Sequence, residues 1–258
     1  MHFCSNQGHM QQTVYHQLLA GKRDGKKSFA LLIDPDKTAL PAVPALVQAA
    51  TTSGVDYFFV GGSLVVSQVM DELILLLKAH SSIPVLLFPG APAQLSAHAD
   101  ALLYLSLISG RNADLLIGQH VLSAPAVKRS GVEVISTGYM VVDGGAPTTV
   151  SYISGTPPLP HDKPDIAVCT AMAGELLGMK LIYLDAGSGA RRPVSTTMIT
   201  AVRQHVALPI IVGGGMRDAE AVYTAAKAGA DVIVVGNVLE ENRSLLPELV
   251  GAVKAMTV

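Results

Sequence analysis

Short apolar runs alternate with amphipathic stretches along most of this chain. Eight of the runs are predicted strands, and the first, at residues 28–33, shows no polar alternation, which is typical of a strand buried on both faces of a parallel sheet. The eight runs lie at residues 28–33, 55–60, 84–88, 101–105, 132–136, 181–184, 209–212 and 231–235. Stretches with helical periodicity lie between most of them, at residues 40–52, 64–79, 113–126, 165–177, 196–205 and 218–228. Further helices are predicted near residues 13–19 and at residues 240–256.

This repeated strand and helix pattern predicts a (β/α)8 TIM barrel, an α/β fold that forms one domain over residues 1–258. Residues 1–27 are predicted to be a leader that contains the first helix. A doubly wound parallel sheet uses the same alternation and is the alternative. Because only residues 91–100 separate the third and fourth strands, the helix after the third strand is predicted to be shortened or missing.

An irregular insert follows the fifth predicted strand, at residues 138–163. Within it, residues 139–142 and 148–153 flank an Asp-Gly-Gly turn and are predicted to pair as a hairpin. Tyr139 and Tyr152 belong to this insert. They are interpreted either as parts of a lid or as ordinary loop aromatics.

The composition excludes several classes of protein. Half of the residues, 50%, are hydrophobic and 15% are charged, which supports a large core and argues against disorder. The net charge of −2 gives no basic surface for nucleic acid. Cys4 and Cys169 are too few for a disulfide framework, and a cytoplasmic location fits best. No apolar run approaches the ~18 residues of a membrane span, and the large apolar fraction favours a homo-oligomer.

Glycine-rich turns follow the last three predicted strands. They are Leu184-Asp185-Ala186-Gly187-Ser188-Gly189-Ala190, Gly213-Gly214-Gly215 and Gly236-Asn237. Glycine lets the backbone turn its N–H groups toward an anion, and TIM barrels often hold phosphate after strands seven and eight. The alternative is a set of tight turns, with Asp218 as the cap of the following helix. Three successive strand ends of this kind favour phosphate binding.

Acidic and hydroxyl side chains follow the first, second and sixth strands. Asp34 and Ser63 offer hard oxygen ligands that suit Mg²⁺, although Ser63 is equally interpreted as a helix cap. Asp36 is interpreted as the cap of the next helix. Asp185 is the main candidate for a general base, and Tyr183, just before it, faces either the barrel centre or the outer packing.

Several motifs in this order resemble the geranylgeranylglyceryl phosphate synthase family, which includes the bacterial heptaprenylglyceryl phosphate synthases. The similarity covers about residues 29–238. It is carried by Leu32-Ile33-Asp34-Pro35-Asp36-Lys37, Val60-Gly61-Gly62-Ser63, Leu87-Phe88-Pro89-Gly90, Ser136-Thr137-Gly138-Tyr139, the stretch 183–190 and the two later glycine turns.

The resemblance implies a prenyltransferase that joins sn-glycerol 1-phosphate to a polyprenyl diphosphate and releases diphosphate. It implies Mg²⁺ held by Asp34 and Ser63, with Asp185 and Tyr183 in the catalytic centre. The implied glycerol phosphate site consists of Tyr183, Leu184, Asp185, Ala186, Gly187, Ser188, Gly189, Gly214, Gly215, Gly236 and Asn237. We expect residues 102–122 to line part of a groove for the prenyl chain, and a peripheral membrane contact is expected for product release.

One position departs from the family pattern, because the family usually carries Glu where this chain has Asp185. Two other functions remain open, the first because it shares the glycine turns after strands seven and eight, and the second because of the shorter side chain at Asp185. One is a different phosphate-binding barrel of the sugar-phosphate isomerase type, which would need a second acid or a cysteine opposite the first. The other is a non-catalytic barrel that binds a phospholipid precursor.

Overall fold

The strands form a closed parallel barrel in the computed structural model, which describes residues 13–256. In order, they are β1 (Ser28–Ile33), β2 (Tyr57–Gly62), β3 (Val85–Pro89), β4 (Ala101–Leu107), β5 (Glu133–Val141), β6 (Leu181–Asp185), β7 (Ile210–Gly213) and β8 (Val232–Val235). Each strand pairs with the next one, and β8 pairs with β1. The closure confirms the TIM barrel and excludes the doubly wound sheet.

Helices cover the outside of most of the barrel. They are α1 (Thr13–Arg23), α2 (Val43–Ser53), α3 (Met70–His80), α4 (Gln119–Ser130), α5 (Thr149–Ser154), α6 (Pro164–Leu176), α7 (Thr196–His205), α8 (Ala219–Ala228), α9 (Asn237–Glu241) and α10 (Leu246–Lys254). The predicted leader helix is α1, while residues 1–12 of the leader lie outside the described residues. In the described part of the chain, no helix is both long and apolar enough to cross a membrane.

The strands are apolar on both faces because each face has its own packing partners. In β6, Ile182 and Leu184 pack into the layer between the barrel and the helices, whereas Leu181 and Tyr183 belong to the core inside the barrel. This alternation settles the orientation of Tyr183, which points to the barrel centre. It also explains why the strand shows no polar alternation in the sequence.

The segment between β3 and β4 forms turns and no helix, as predicted for residues 91–100. One side of the barrel is therefore left without a covering helix. The next helical segment is also irregular, because it starts with a π-helix at Asp114–Gly118 before α4 begins. The Ser106 hydroxyl donates a hydrogen bond of 2.8 Å to the Leu116 carbonyl in this irregular turn.

The predicted hairpin in the insert is wrong. Strand β5 continues to Val141, because β4 and β6 pair with it on both sides, up to Leu107 opposite Tyr139 and Asp185 opposite Val141. The second half of the predicted hairpin is the helix α5, whose N-terminus is capped by Thr148. Tyr139 therefore lies inside the barrel, and Tyr152 lies exposed on α5.

Two predicted helices have different bounds in the structure. The helix predicted over residues 64–79 begins only at Met70. Its expected first turn is a loop because the backbone N–H groups of Val66 and Ser67 donate to the Asp36 carboxylate, at 2.9 and 2.8 Å. The closing helix predicted over residues 240–256 is divided by a 3₁₀ turn at Arg243–Leu245.

Helix α1 closes the barrel at the amino ends of the strands. Its residues Val14 and Leu18 are buried in the inner core. The buried Glu133 carboxylate accepts hydrogen bonds from Val14 N–H at 2.8 Å and Tyr15 N–H at 2.9 Å. These bonds satisfy N–H groups in the first turn of α1, where a negative charge is also favoured by the helix dipole.

Replacing Glu133 with Ala is expected to lower the free energy of unfolding by about 1–3 kcal/mol, because two buried N–H groups lose a charged acceptor. Urea unfolding of the variant and the wild type measures the difference. Exposed Glu72, in the first turn of α3, is the matched control, and Glu72→Ala is expected to change stability by less than about 0.5 kcal/mol. Equal losses in both variants would show that Glu133 does not anchor α1.

Candidate active site

A polar cavity of about 460 Å³ lies at the carboxyl ends of the strands. It collects most of the residues predicted for the site. Those lining it are Asp34, Ser63, Tyr183, Asp185, Gly187, Ser188, Gly189, Gly214, Gly215, Gly236 and Asn237. Leu184 and Ala186 do not line it, because their side chains are buried in the outer layer against the helices. The Ala186 N–H is also engaged, donating to the Gly213 carbonyl at 3.0 Å.

The three glycine turns meet on one wall of this cavity. A Cβ on Gly214, whose φ is +79°, would lie 2.5 Å from the Gly187 nitrogen, so the second turn contacts the first closely only with glycine there. The Ser188 hydroxyl donates to Asn237 Oδ1 at 3.0 Å and so connects the first turn to the third. Together the turns form a concave surface rich in backbone N–H groups, which suits an anion.

The second glycine turn also ends in a helix cap, which is the alternative interpretation of these residues. The Asp218 carboxylate accepts a hydrogen bond of 2.8 Å from Ala221 N–H and caps α8. The cap lies beyond the glycines and leaves Gly214 and Gly215 on the cavity wall. The turn therefore starts a helix and lines the cavity at the same time.

Asp185 lines the cavity at the end of β6 and is only 7% exposed. Oδ2 accepts a short hydrogen bond of 2.6 Å from the Tyr139 hydroxyl, and Oδ1 accepts one of 2.8 Å from Gly187 N–H. Burial raises the pKa of Asp185, and the two hydrogen bonds offset only part of that rise. A carboxylate with a raised pKa is a stronger proton acceptor than an exposed one.

Three aromatic rings pack together beside this carboxylate. Phe88 stacks on Tyr183 with ring centroids 5.2 Å apart, and Tyr139 meets both rings edge to face. Burial, followed by the nearby charge of Asp185, raises the pKa of both tyrosines, so both hydroxyls stay protonated. The sequence assigned Phe88 no role of its own within its motif, and it placed Tyr139 in the irregular insert, as part of a lid or as a loop aromatic.

The Asp34 carboxylate lies on the wall formed after β1, three strands around the barrel from Asp185 at the end of β6. Its Oδ1 accepts a hydrogen bond of 2.9 Å from Asp36 N–H, while Oδ2 lies 3.6 Å from Lys37 Nζ. The prediction that Asp36 caps the next helix is wrong. The Asp36 carboxylate instead binds the loop after β2 through Val66 and Ser67, and the 3₁₀ turn that follows has Ala39 at its N-cap.

The oxygen atoms of Asp34 and Ser63 fit a magnesium ion. Both residues line the same cavity, and a carboxylate with a hydroxyl is a donor set that Mg²⁺ accepts when water and substrate phosphate complete its coordination. In the described residues, no group of three or more His, Cys, Asp or Glu side chains could hold a metal without substrate. A magnesium ion here would therefore depend on a phosphorylated ligand for its remaining oxygens.

An apolar groove of about 130 Å³ adjoins the polar cavity. The two share Gly62, Ser63 and Phe88, so the groove begins beside the proposed metal ligands. It follows the open side of the barrel between the β3–β4 segment and α4. Residues in the predicted range 102–122 supply much of its wall, namely Leu102, Tyr104, Leu105, Leu107, Leu115, Gln119 and His120.

This combination of fold and site has clear relatives. The PcrB family model matches residues 22–255, so the chain belongs to the PcrB family. The chain is 59% identical to the geranylgeranylglyceryl phosphate synthase of Chitinophaga pinensis, covering 95% of this chain and 98% of that one. It is 60% identical to the enzyme of the same name from Spirosoma linguale, covering 90% and 94%.

A solved structure agrees with both comparisons. The (S)-3-O-geranylgeranylglyceryl phosphate synthase of Thermoplasma acidophilum, in complex with its substrate sn-glycerol-1-phosphate, superimposes with a TM-score of 0.88 at 32% identity. The superposition covers 94% of this chain and 99% of the other. These comparisons confirm the family predicted from the motifs. The chain is a prenyltransferase similar to the geranylgeranylglyceryl phosphate synthases.

Proposed function

We propose that this enzyme transfers a polyprenyl group, such as geranylgeranyl, from its diphosphate to sn-glycerol 1-phosphate. The observation that carries the proposal is the junction at Phe88, where an anion-binding cavity opens directly into an apolar groove. One substrate is small and phosphorylated, and the other combines a diphosphate with a long apolar chain. The two adjoining spaces match these two chemistries. The Thermoplasma acidophilum relative bound to sn-glycerol-1-phosphate supports the choice of acceptor.

The glycine wall is the proposed site for the glycerol phosphate group. The Gly187 N–H is bonded to Asp185, so the donors proposed for the phosphate are the backbone N–H groups around Gly189 and Gly214, which carry no side-chain bulk. Tyr183 lines the same cavity, and its hydroxyl is proposed to hold the glycerol end near Asp185. When the phosphate group is fixed on this wall, the hydroxyl groups of the glycerol lie over the cavity floor, close to the buried carboxylate of Asp185.

The diphosphate end of the donor is proposed to bind on the wall formed after β1, with Mg²⁺ held by Asp34 and Ser63. When bound, the metal ion would neutralise negative charge on the leaving diphosphate. The prenyl chain would lie in the apolar groove, which takes its surface out of water. Its first carbon then lies near Phe88, between the two walls.

The transfer requires one bond to form and one to break. The acceptor hydroxyl oxygen bonds to the first prenyl carbon, and the bond from that carbon to diphosphate breaks with its electron pair on diphosphate. Asp185 takes the hydroxyl proton. The faces of Phe88 and Tyr183 favour the positive charge that develops on the allylic carbon, and their packing keeps water from intercepting it.

The alternative isomerase function has less support. An isomerase of that type needs a second acid or a cysteine opposite Asp185, and the acid at the end of β1, Asp34, is better matched as a metal ligand beside Ser63. It also has no use for an apolar groove beside the catalytic residues.

The predicted cytoplasmic location, the homo-oligomer and the peripheral membrane contact remain predictions of the sequence.

A direct test incubates the wild-type protein with labelled sn-glycerol 1-phosphate, geranylgeranyl diphosphate and Mg²⁺, and measures the labelled ether product. Transfer is expected with this acceptor and is expected to stop with EDTA. Gly214→Ala is the matched variant, because its new Cβ would collide with the Gly187 backbone on the phosphate wall. Transfer by the wild type without Mg²⁺, or none under any condition, would contradict the proposal.

A further inference from the structure

Lys37 is the described cation nearest to Asp34 in a cavity that is mostly acidic. The charged residues that line this cavity are Asp34, Asp36, Lys37, Asp185, Arg217, Glu240 and Glu241. Arg217 lies at the other end, where it donates to the Ala190 carbonyl at 3.1 Å beside the glycine turns. Lys37 is therefore the described side chain that can neutralise the charge of an anion bound at the Asp34 end of the cavity.

The contacts of Lys37 leave its ammonium group available. Nζ donates to Glu240 Oε2 at 2.8 Å and lies 3.6 Å from Asp34 Oδ2, and its side chain is 49% exposed. An ammonium group has three N–H donors, so a further acceptor can be bound. A surface ion pair of this kind contributes little to stability and is exchanged easily for a stronger partner.

We propose that Lys37 binds the diphosphate of the prenyl donor and that Glu240 holds it near Asp34 until the diphosphate arrives. This inference rests on the proposed function, since it assigns a residue to the leaving group of that reaction. Diphosphate carries more negative charge than a carboxylate and offers several oxygens, so it competes well for the ammonium group. Lys37 then stabilises the same charge that grows on diphosphate as the carbon–oxygen bond breaks.

Glu240 lies beside Lys37 because the strands that precede them, β8 and β1, pair with each other in the barrel. Glu240 belongs to the short helix α9, which starts at the Gly236-Asn237 turn, whereas Lys37 follows β1. The ion pair therefore joins the loop after β1 to the neighbouring turn after β8. When Lys37 turns to the diphosphate, this connection opens, and no backbone movement is needed because both side chains are long.

Calorimetric titration with inorganic diphosphate tests the proposal without turnover. Lys37→Met is expected to weaken diphosphate binding by about 10- to 100-fold, because a charged hydrogen bond is lost. Binding of sn-glycerol 1-phosphate is expected to stay within about threefold, since that ligand lies on the other wall. Lys37→Arg keeps the charge and is expected to bind diphosphate within about tenfold of the wild type.

Glu240→Gln is expected to change the diphosphate affinity in the opposite direction to Lys37→Met. Because it frees Lys37 from its carboxylate partner, diphosphate binding is expected to become tighter or stay equal. Wild-type diphosphate affinity in Lys37→Met, or equal weakening in Lys37→Met and Glu240→Gln, would overturn the assignment. If the wild type binds diphosphate in this Lys37-dependent way but transfers no prenyl group to glycerol phosphate, the proposed function fails and the Lys37 site stands.

Discussion

Prenyl transfer by the Asp185→Asn variant is expected to be slower than in the wild type by about 10²- to 10⁴-fold, the usual contribution of a general base. The amide is nearly isosteric and still fits between Tyr139 and Gly187, but it cannot accept the hydroxyl proton. Binding of glycerol phosphate is expected to change little, because the glycine wall is intact. Single-turnover rates and calorimetric binding measure the two effects separately.

The pH dependence of the wild type gives an independent check on the same residue. Burial raises the pKa of Asp185 above its ordinary value of ~3.9. Because only the carboxylate accepts a proton, the rate is expected to fall as the pH drops through this raised pKa. Asp185→Asn should lack that acid limb, and Asp185→Glu, which keeps a base, should retain it. A wild-type rate in Asp185→Asn would show that another group takes the proton.

The raised pKa of Asp185 affects the stability of the folded protein in the opposite direction to its effect on the rate. A raised pKa in the folded state favours folding below the ordinary pKa, and this contribution is lost as the pH rises through the raised value. At neutral pH the buried carboxylate therefore costs stability that the neutral amide does not. Asp185→Asn is expected to melt at or above the wild-type temperature at pH 7, which separates loss of chemistry from loss of fold.

A tryptophan at position 123 is expected to change the donor preference. Ser123 lines the apolar groove from α4, where its hydroxyl donates to the Gln119 carbonyl at 2.8 Å. In Ser123→Trp the indole would occupy the space of the distal prenyl units. The value of kcat/KM for geranylgeranyl diphosphate should fall by about 10- to 200-fold, the range that pocket size alone can supply. Geranyl diphosphate should lose far less.

The measurement compares geranyl, farnesyl and geranylgeranyl diphosphates as donors for Ser123→Trp and for a control variant, Leu122→Trp. Leu122→Trp is the matched control, because Leu122 is the neighbouring residue on α4 and is 73% exposed. It should show the wild-type order of donors. If Ser123→Trp also keeps that order, the prenyl chain does not lie in this groove, and the junction at Phe88 has a different use.

The pattern of apolar runs determined the architecture by itself. A strand such as β1, apolar at every position after Ser28, fits a sheet covered on both faces, and eight strand and helix units leave few alternatives. The glycine turns after β6, β7 and β8 were visible for the same local reason, since runs of glycine at strand ends have few structural explanations. The absence of a helix after β3 followed directly from the short connection.

The neighbours inside the barrel were decided only by the tertiary structure. The sequence around Thr137, Gly138 and Tyr139 is a weak strand signal. These residues extend β5 beyond the predicted strand because β4 and β6 supply hydrogen bonds on both sides. That extension brings the Tyr139 hydroxyl to Asp185, which is 46 residues away in the chain. Closure likewise brings Phe88 onto Tyr183. Local periodicity records which face of a strand is buried, whereas closure of the barrel fixes which buried side chains meet.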